Sequence, residues 1–439
     1  MGPTSITRRA LIHRTLAATV ASTLPIPSRA SGAPTSRPDA PLILGAPLTH
    51  SDWMLKPGIP WGPPGVRHML DACKACGWSH VCWRAFDGGR ALYKSKLLRP
   101  GDKWDDDSFW SPQSGADRAL TAKFTSNMPE SKRREILAKC AALDYSQFDS
   151  LAGAVRYGHE IGLHIHAWLS INEDDHAWGF ASDFAKAHPQ FRWTRRNGAV
   201  YHSQLSFAFD EVRQYKLALL DEILSGYDVD GLFIDWIRTG DVRDNPQTDA
   251  AGVADSGYEP PLIEAFKTRY GLDPHDVPNG DDRWVRLRAE PQTHFMREAR
   301  QLVRKRRGPL PVAVLVAHPR HYRGSMDPID GNLRGLLLDA RAWAREGLMD
   351  SAVAAGYYRP GGSPEAAYRA LRDETEQRVD VWTYAWVPRT VDEFRQAADL
   401  AHRVGAKQML LWEADYIDDR PNAAELKAAM SHGAATLRQ

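Results

Sequence analysis

The chain has 439 residues, a hydrophobic fraction of 43% and a formal net charge of +1. A chain of this length can bury a large hydrophobic core, and its balanced charge gives no electrostatic bias toward nucleic acid or anionic membranes. Beyond its amino-terminal segment it contains no apolar stretch long enough to cross a bilayer. These features exclude a basic nucleic-acid-binding class and predict a protein without a membrane span.

The amino-terminal segment is typical of an export signal. Arg8 and Arg9 precede a weakly apolar stretch over residues 15–24 and then a region rich in Pro, Ser and Ala, which is the pattern of a twin-arginine signal. We therefore expect a periplasmic or secreted protein. The predicted division of the chain is a signal peptide over residues 1–30, a disordered linker over 31–40 and a barrel over 41–439.

Short apolar runs alternate with segments of helical period along the remaining sequence. The eight runs lie at residues 42–49, 80–86, 163–171, 231–237, 311–317, 351–357, 381–387 and 408–412. The helical segments include residues 65–76, 148–161, 210–224, 283–307, 333–348, 364–377 and 391–404. Several of them end at glycines, namely Gly77, Gly162, Gly271, Gly347 and Gly405. Eight strand–helix units predict an α/β fold of the (β/α)8 TIM-barrel type as one catalytic domain. A doubly wound open sheet is the weaker alternative, because no Gly-rich turn follows the first run.

The fourth run ends in a carboxylate. Residues 229–238 form an apolar run that ends in a carboxylate, an indole and a guanidinium, which are Asp235, Trp236 and Arg238. A continuous run of this kind is expected of a parallel strand covered on both faces. Because the carboxyl ends of barrel strands form the active-site rim, Asp235 is our first catalytic candidate. The structural alternative is a carboxylate that caps the next loop or pairs with Arg238.

Aromatic and polar residues follow many of the other runs. The chain contains 15 Trp, and indole rings stack well on the apolar faces of sugars. The arginines at strand ends would orient hydroxyls or a uronic or sulfated group. The predicted substrate-binding residues are His50, Asp52, Trp53, Arg84, Asp87, His164, His166, Trp168, Trp236, Arg238, His318, Tyr357, Trp386 and Asp415.

Two imidazoles on the third run raise the question of a metal site. His164 and His166 share one face of the predicted strand, and His318 closes the fifth run. The bridging Lys and further His that such sites use in hydrolase barrels are missing, so we predict no metal and no other cofactor. Hydrogen bonding to a carboxylate or a sugar hydroxyl is the favoured role of these imidazoles.

The cysteines give weaker information. Cys73 and Cys76 lie three residues apart on a predicted helix, Cys82 lies on the second run and Cys140 precedes a later helix. A single Cys-x2-Cys pair without a second pair is weak evidence for zinc. Buried free thiols are the favoured interpretation, with one disulfide as the alternative in an oxidising compartment.

Residues 160–240 carry a resemblance to a known family. The segments that carry it are His166-Ala167-Trp168-Leu169, His188-Pro189-Gln190-Phe191, Leu205-Ser206-Phe207-Ala208, the predicted helix 211–224 and the run that ends at Asp235. In these segments the chain resembles the glycosyl-hydrolase-like family 10, whose members are exported bacterial (β/α)8 barrels. The resemblance implies a carbohydrate-active barrel with Asp235 at its centre. The fifth run departs from the expected pattern, because it ends in His318-Pro319-Arg320 without an acidic residue.

A glycosidase of the usual type needs a second carboxyl group across the scissile bond. Glu413 follows the eighth run and is the best candidate for the acid, with Asp415 next. Further possibilities after other runs are Asp87, Glu173, Asp174, Asp175 and Asp241. The run Glu173-Asp174-Asp175 is more typical of a solvated or cation-binding loop.

We therefore expect an exported glycoside hydrolase acting on an oligo- or polysaccharide, with Asp235 and Glu413 as its carboxylate pair. A non-catalytic carbohydrate-binding barrel is one alternative. A metal-dependent hydrolase using His164, His166 and His318 is the other. The oligomeric state is left open.

Overall fold

The computed structural model describes residues 43–48, 62–101, 147–174, 181–235, 249–317, 331–354, 365–412 and 420–436, together with residues 138, 237, 417 and 418. Within these residues the strands are β1 (Ile43–Leu48), β2 (His80–Asp87), β3 (Arg90–Ala91), β4 (Arg99–Pro100), β5 (His164–Ser170), β6 (Arg192–Thr194), β7 (Val200–Leu205), β8 (Gly231–Asp235), β9 (Val312–Ala317), β10 (Ser351–Ala354), β11 (Asp380–Trp386) and β12 (Gln408–Trp412). The helices are α1 (Pro63–Ala75), α2 (Ser150–Glu160), α3 (Asp183–Ala187), α4 (Asp210–Gly226), α5 (Pro260–Tyr270), α6 (Asp282–Arg307), α7 (Gly331–Leu336), α8 (Ala340–Glu346), α9 (Glu365–Glu374), α10 (Val391–Arg403) and α11 (Ala423–Thr436).

Eight of the strands form a continuous parallel series. Strand β1 pairs in parallel with both β12 and β2, and the pairings between them run through β11, β10, β9, β8 and β5. The ladder therefore returns to its first strand, and the helices lie between successive strands in the chain. The predicted (β/α)8 fold is confirmed, and each of the eight apolar runs contains or overlaps one strand of the series.

Glycines end several helices where the sequence predicts it. Gly271 and Gly347 follow α5 and α8 with left-handed backbones, at φ values of 68° and 64°. This conformation is strained for residues with a Cβ atom. The prediction of one helix over residues 333–348 is wrong, because α7 and α8 are separate. Leu337 between them has a φ of 56°, and the Asp339 side chain accepts a hydrogen bond from the amide of Ala342 to begin α8.

Alternation along the barrel strands divides the core in two. Successive side chains of a strand point to opposite faces, and one set packs with the helices in the larger cluster. The other set forms a smaller cluster whose members all lie on barrel strands, and it is therefore the barrel interior. These residues are Cys82, Trp168, Phe233, Ala313, Leu315, Val353, Trp382, Tyr384 and Leu410, with Trp412 packed against them.

Two inserted segments extend from the barrel. The antiparallel hairpin of β6 and β7 follows β5, and α5 follows β8. Arg195 of the hairpin forms an ion pair of 2.6 Å with Asp255, and this pair joins the hairpin to the segment that precedes α5. Among the described residues, no helix has the length and apolar character that crossing a bilayer requires.

Candidate active site

Asp235 ends β8 at the carboxyl end of the barrel. It is 2% exposed and lies opposite Ser170, the last residue of β5, in the parallel register. Gly231, Phe233 and Asp235 share one face of β8, since Phe233 belongs to the interior cluster and the side chains alternate. The apolar run therefore directs this carboxylate into the top of the barrel interior.

Trp168 contacts Asp235 directly. Its Nε1 donates a hydrogen bond of 3.2 Å to Oδ2 of Asp235. Its side chain is 2% exposed and belongs to the interior cluster, and its predicted role in substrate binding stays a prediction. The ring faces neighbouring side chains rather than an open cleft.

Arg84 and Asp87 occupy the same end of β2. The guanidinium carbon of Arg84 lies 3.7 Å from the centre of the Trp168 ring, in a cation–π contact. Arg84 also forms an ion pair with Asp87, and their side chains are 13% and 18% exposed. Both predicted residues thus lie at the Asp235 end of the barrel, and their role in substrate binding stays a prediction.

Two half-buried indoles end neighbouring strands of the barrel. Trp386 and Trp412 end β11 and β12 and are partners in the parallel register. Trp412 contacts Trp168 with ring centres 4.9 Å apart and contacts the buried Tyr384 at 5.2 Å. Trp412 extends the predicted aromatic rim, and its position at the end of the eighth run is the sequence signal for it.

The acidic run after β5 is buried rather than solvated. Glu173 and Asp174 are each 2% exposed. Asp174 forms a buried ion pair with Lys216 of α4 and accepts a hydrogen bond of 2.9 Å from the Ser182 hydroxyl. The backbone carbonyl of Glu173 accepts from the amide of Gly89 at 3.1 Å. The prediction of a solvated or cation-binding loop is wrong for these two residues, because both are buried and Lys216 of α4 supplies the counter-ion of Asp174.

His164 and His166 lie far from Asp235. They are the first and third residues of β5, and His166 is in register with Gly231 at the start of β8. Asp235 lies four residues further along β8, about 13 Å at the usual strand rise. Both imidazoles contact His80, at centroid distances of 4.8 and 5.4 Å. The expectation that they share the rim with Asp235 is wrong, since they occupy the amino end of the barrel.

Many of the remaining predicted site residues lie outside the part of the chain that the structure describes. Outside the described residues lie the predicted signal and linker and the candidates His50, Asp52, Trp53, Trp236, Arg238, His318, Tyr357, Glu413 and Asp415. Within the described part of the chain, no group of three or more His, Cys, Asp or Glu residues has a metal-binding arrangement.

Cys73, Cys76 and Cys82 are buried free thiols. Burial raises the pKa of each thiol, to about 12 for Cys76.

Glu259 is a buried acid that is absent from the predicted site residues. Burial raises its pKa to about 8. Its carboxyl group accepts hydrogen bonds from the Thr194 amide at 2.5 Å and the Ser206 hydroxyl at 3.3 Å. These contacts join the start of α5 to the hairpin of β6 and β7, so the local geometry gives Glu259 a structural role.

The model of the family described as Glycosyl hydrolase-like 10 matches residues 124–387, which is more than half of the chain. The chain belongs to this family. The match includes β5, β8, β9, β10 and β11, and thus the part of the chain that carries Asp235. The suspected family resemblance is confirmed.

Solved structures with similar folds include glycosidases. The glycoside hydrolase domain of PgaB (BpsB) from Bordetella bronchiseptica has a TM-score of 0.55 and 13% identity, covering 89% of this chain and 99% of that one. The catalytic domain of the β-amylase from Paenibacillus polymyxa has a TM-score of 0.53 and 10% identity, covering 91% and 99%. The α-L-fucosidase isoenzyme 2 from Paenibacillus thiaminolyticus has a TM-score of 0.54 and 14% identity, covering 89% of this chain and 49% of that one. At these identities the likeness concerns the fold.

One curated relative matches a smaller part of the sequence. An S-layer-related protein of Niallia circulans is 29% identical over 127 residues, which are 25% of this chain. The match spans only 8% of that protein's length.

Proposed function

We propose that this protein is an exported glycoside hydrolase that cleaves an oligo- or polysaccharide, with Asp235 as nucleophile or base. The observation that carries the proposal is the placement of a buried carboxylate at the carboxyl end of β8, with its Oδ2 held by Trp168. In (β/α)8 enzymes the chemistry occurs at this end. The family membership and the glycosidase folds among the structural neighbours support the same activity.

The reaction also requires a second carboxyl group. Glu413, which follows β12, remains our candidate for the acid, and β12 contributes Trp412 to the same end of the barrel. Glu173 is a competing candidate because it is buried just beyond the end of β5, next to β8 in the sheet. A separation of about 5 Å between the two carboxyl groups favours the retaining route, and about 6.5–9.5 Å favours inversion.

The proposed substrate is a carbohydrate whose sugar rings bind at the aromatic end of the barrel. Trp386 and Trp412 offer half-buried indole faces, which suit the C–H faces of pyranose rings. Export to the periplasm or the medium, proposed from the twin-arginine pattern, would give the enzyme access to an extracellular polysaccharide.

The decisive experiment measures reducing-end release from a panel of neutral, amino and acidic polysaccharides. We expect Asp235→Asn to fold normally and to lose several orders of magnitude in turnover, because an essential carboxylate is removed. The matched control is Asp230→Asn, which removes a carboxylate just before the other end of β8 and should retain turnover.

Glu413→Gln and Glu173→Gln, assayed in parallel, identify the acid partner by which of them abolishes activity toward substrates with poor leaving groups. Near-native turnover in Asp235→Asn would contradict the proposal. Retention of polysaccharide without cleavage by the wild-type protein would instead support the carbohydrate-binding alternative.

A further inference from the structure

The hydrogen bond between Trp168 and Asp235 lies at the border of an apolar interior. An indole N–H can only donate, and a buried one needs an acceptor. The acceptor here is Oδ2 of Asp235 at 3.2 Å. An ionised carboxylate is a stronger acceptor than a neutral acid, so this contact favours the charged form of Asp235.

The indole of Trp168 is fixed on several sides. Arg84, its register partner on β2, lies over the ring at 3.7 Å. Phe233, its register partner on β8, lies at a centroid distance of 6.0 Å, and Trp412 meets the ring edge-to-face at 4.9 Å. Rotation of the ring would disrupt all three contacts, so its N–H has a fixed direction.

We propose that Trp168 is a positioning residue that holds the Asp235 carboxylate in one orientation and in its ionised form. The effect on turnover rests on the proposed function, whereas the effect on the carboxylate itself does not. Trp168 does this from within the interior cluster, without offering its ring to substrate.

The described charges near this end of β2 and β5 also include Arg84, Asp87, Arg90, Glu173 and the buried pair of Asp174 with Lys216. Arg84 and Asp87 form an ion pair, so their opposite charges partly cancel at a distance. Replacing Trp168 by an uncharged residue leaves all of these charges in place. A change in the titration of Asp235 would then report the lost N–H donor.

The test compares Trp168→Phe with Trp382→Phe. Trp382 is a buried indole of the same interior cluster on β11, so its replacement removes the same type of ring from the same core. Asp235 is followed by infrared titration of carbon-13-labelled aspartate carboxyl groups, with Asp235→Asn assigning the signal. We expect the pKa of Asp235 to rise in Trp168→Phe and to keep its wild-type value in Trp382→Phe.

Turnover provides the second readout. In Trp168→Phe, kcat/KM should fall roughly ten- to hundred-fold, mostly through kcat, and the acidic limb of its pH profile should move to higher pH. If Trp168→Phe does not fold, β-(3-benzothienyl)alanine at position 168 keeps the ring shape and replaces the N–H by sulfur. An unchanged Asp235 titration in either folded variant would overturn the proposal. Absence of wild-type turnover would contradict the glycosidase proposal instead and would not affect the titration result.

Discussion

Lys216 on α4 and Asp174 after β5 form an ion pair in which both side chains are almost completely buried, at 2% and 3% exposure. Burial alone lowers the pKa of Lys216, while the adjacent carboxylate opposes that effect. The pair fixes the loop that follows β5 to the helix behind it. This loop also carries Glu173, so the pair bears on the geometry of the proposed site.

Removing one partner of this pair should be costly. We expect Lys216→Met to lower the free energy of unfolding by about 3–5 kcal/mol, because it leaves a buried carboxylate without its counter-ion. The double variant Lys216→Met/Asp174→Asn should recover part of this loss. Urea unfolding measures both values.

A matched surface pair provides the control for that prediction. Arg369 and Glu365 form an ion pair at 2.5 Å with exposed fractions of 58% and 36%. Arg369→Met should cost less than about 1 kcal/mol, because solvent screens exposed pairs. Equal losses in Arg369→Met and Lys216→Met would contradict the importance of burial at Lys216.

The histidines at the amino end of the barrel should make stability depend on pH. Burial lowers the pKa of His80 to about 4, with a smaller contribution from His164. Burial also lowers the pKa of His166 to about 3, with a smaller contribution from His80. In the unfolded chain the His pKa is about 6.5. Between roughly pH 6.5 and pH 3–4 the unfolded state therefore binds more protons, and the free energy of unfolding should fall as the pH is lowered through this window.

Unfolding by urea at several pH values measures this dependence. His166→Gln should reduce its slope, whatever its effect on stability at neutral pH. His68→Gln, which changes an exposed histidine of α1, should keep the wild-type slope. A His166→Gln slope equal to that of the wild type would contradict the assignment.

Gly231 should tolerate no larger residue. A Cβ atom at this position would lie 2.3 Å from Nδ1 of His166. We expect Gly231→Ala to lower the melting temperature, at a cost of about 1–3 kcal/mol, through overpacking of the barrel interior. Gly226→Ala is the control, since nothing lies within 4 Å of its Cβ position in α4, and it should be neutral or stabilising. Equal melting temperatures of Gly231→Ala and Gly226→Ala would exclude a close approach of a Cβ atom at position 231 to His166.

Trp386 should contribute to carbohydrate binding more than to stability. Trp386→Ala is expected to weaken the binding free energy, measured by retention in gels that contain the hydrolysed polysaccharide, by about 1–3 kcal/mol. The reason is that a sugar ring loses the half-buried indole on which it stacks. Trp382→Ala on the same strand should instead destabilise the fold, since that ring lies in the interior cluster. A large stability loss in Trp386→Ala with unaltered retention would assign Trp386 to the core.

The sequence by itself predicted the order of the eight barrel strands and of most helices between them. Strands covered on both faces require continuous apolar runs, and each of the eight predicted runs contains or overlaps one strand of the barrel. Glycines with left-handed backbones, such as Gly271 and Gly347, could be predicted because their conformation is a local property. The family resemblance over residues 160–240 likewise depended only on the order of residues.

The tertiary structure decided which of these residues share a site. His166 and Asp235 both lie on apolar strands, but the register of β5 against β8 places them at different ends of the barrel. Trp168 follows the same alternation as a rim residue, yet Arg84, Phe233 and Trp412 enclose it. Asp174 is buried because Lys216, 42 residues further along the chain, supplies its counter-ion. Contacts between strands and across such sequence separations depend on register and packing, which no local pattern of residues encodes.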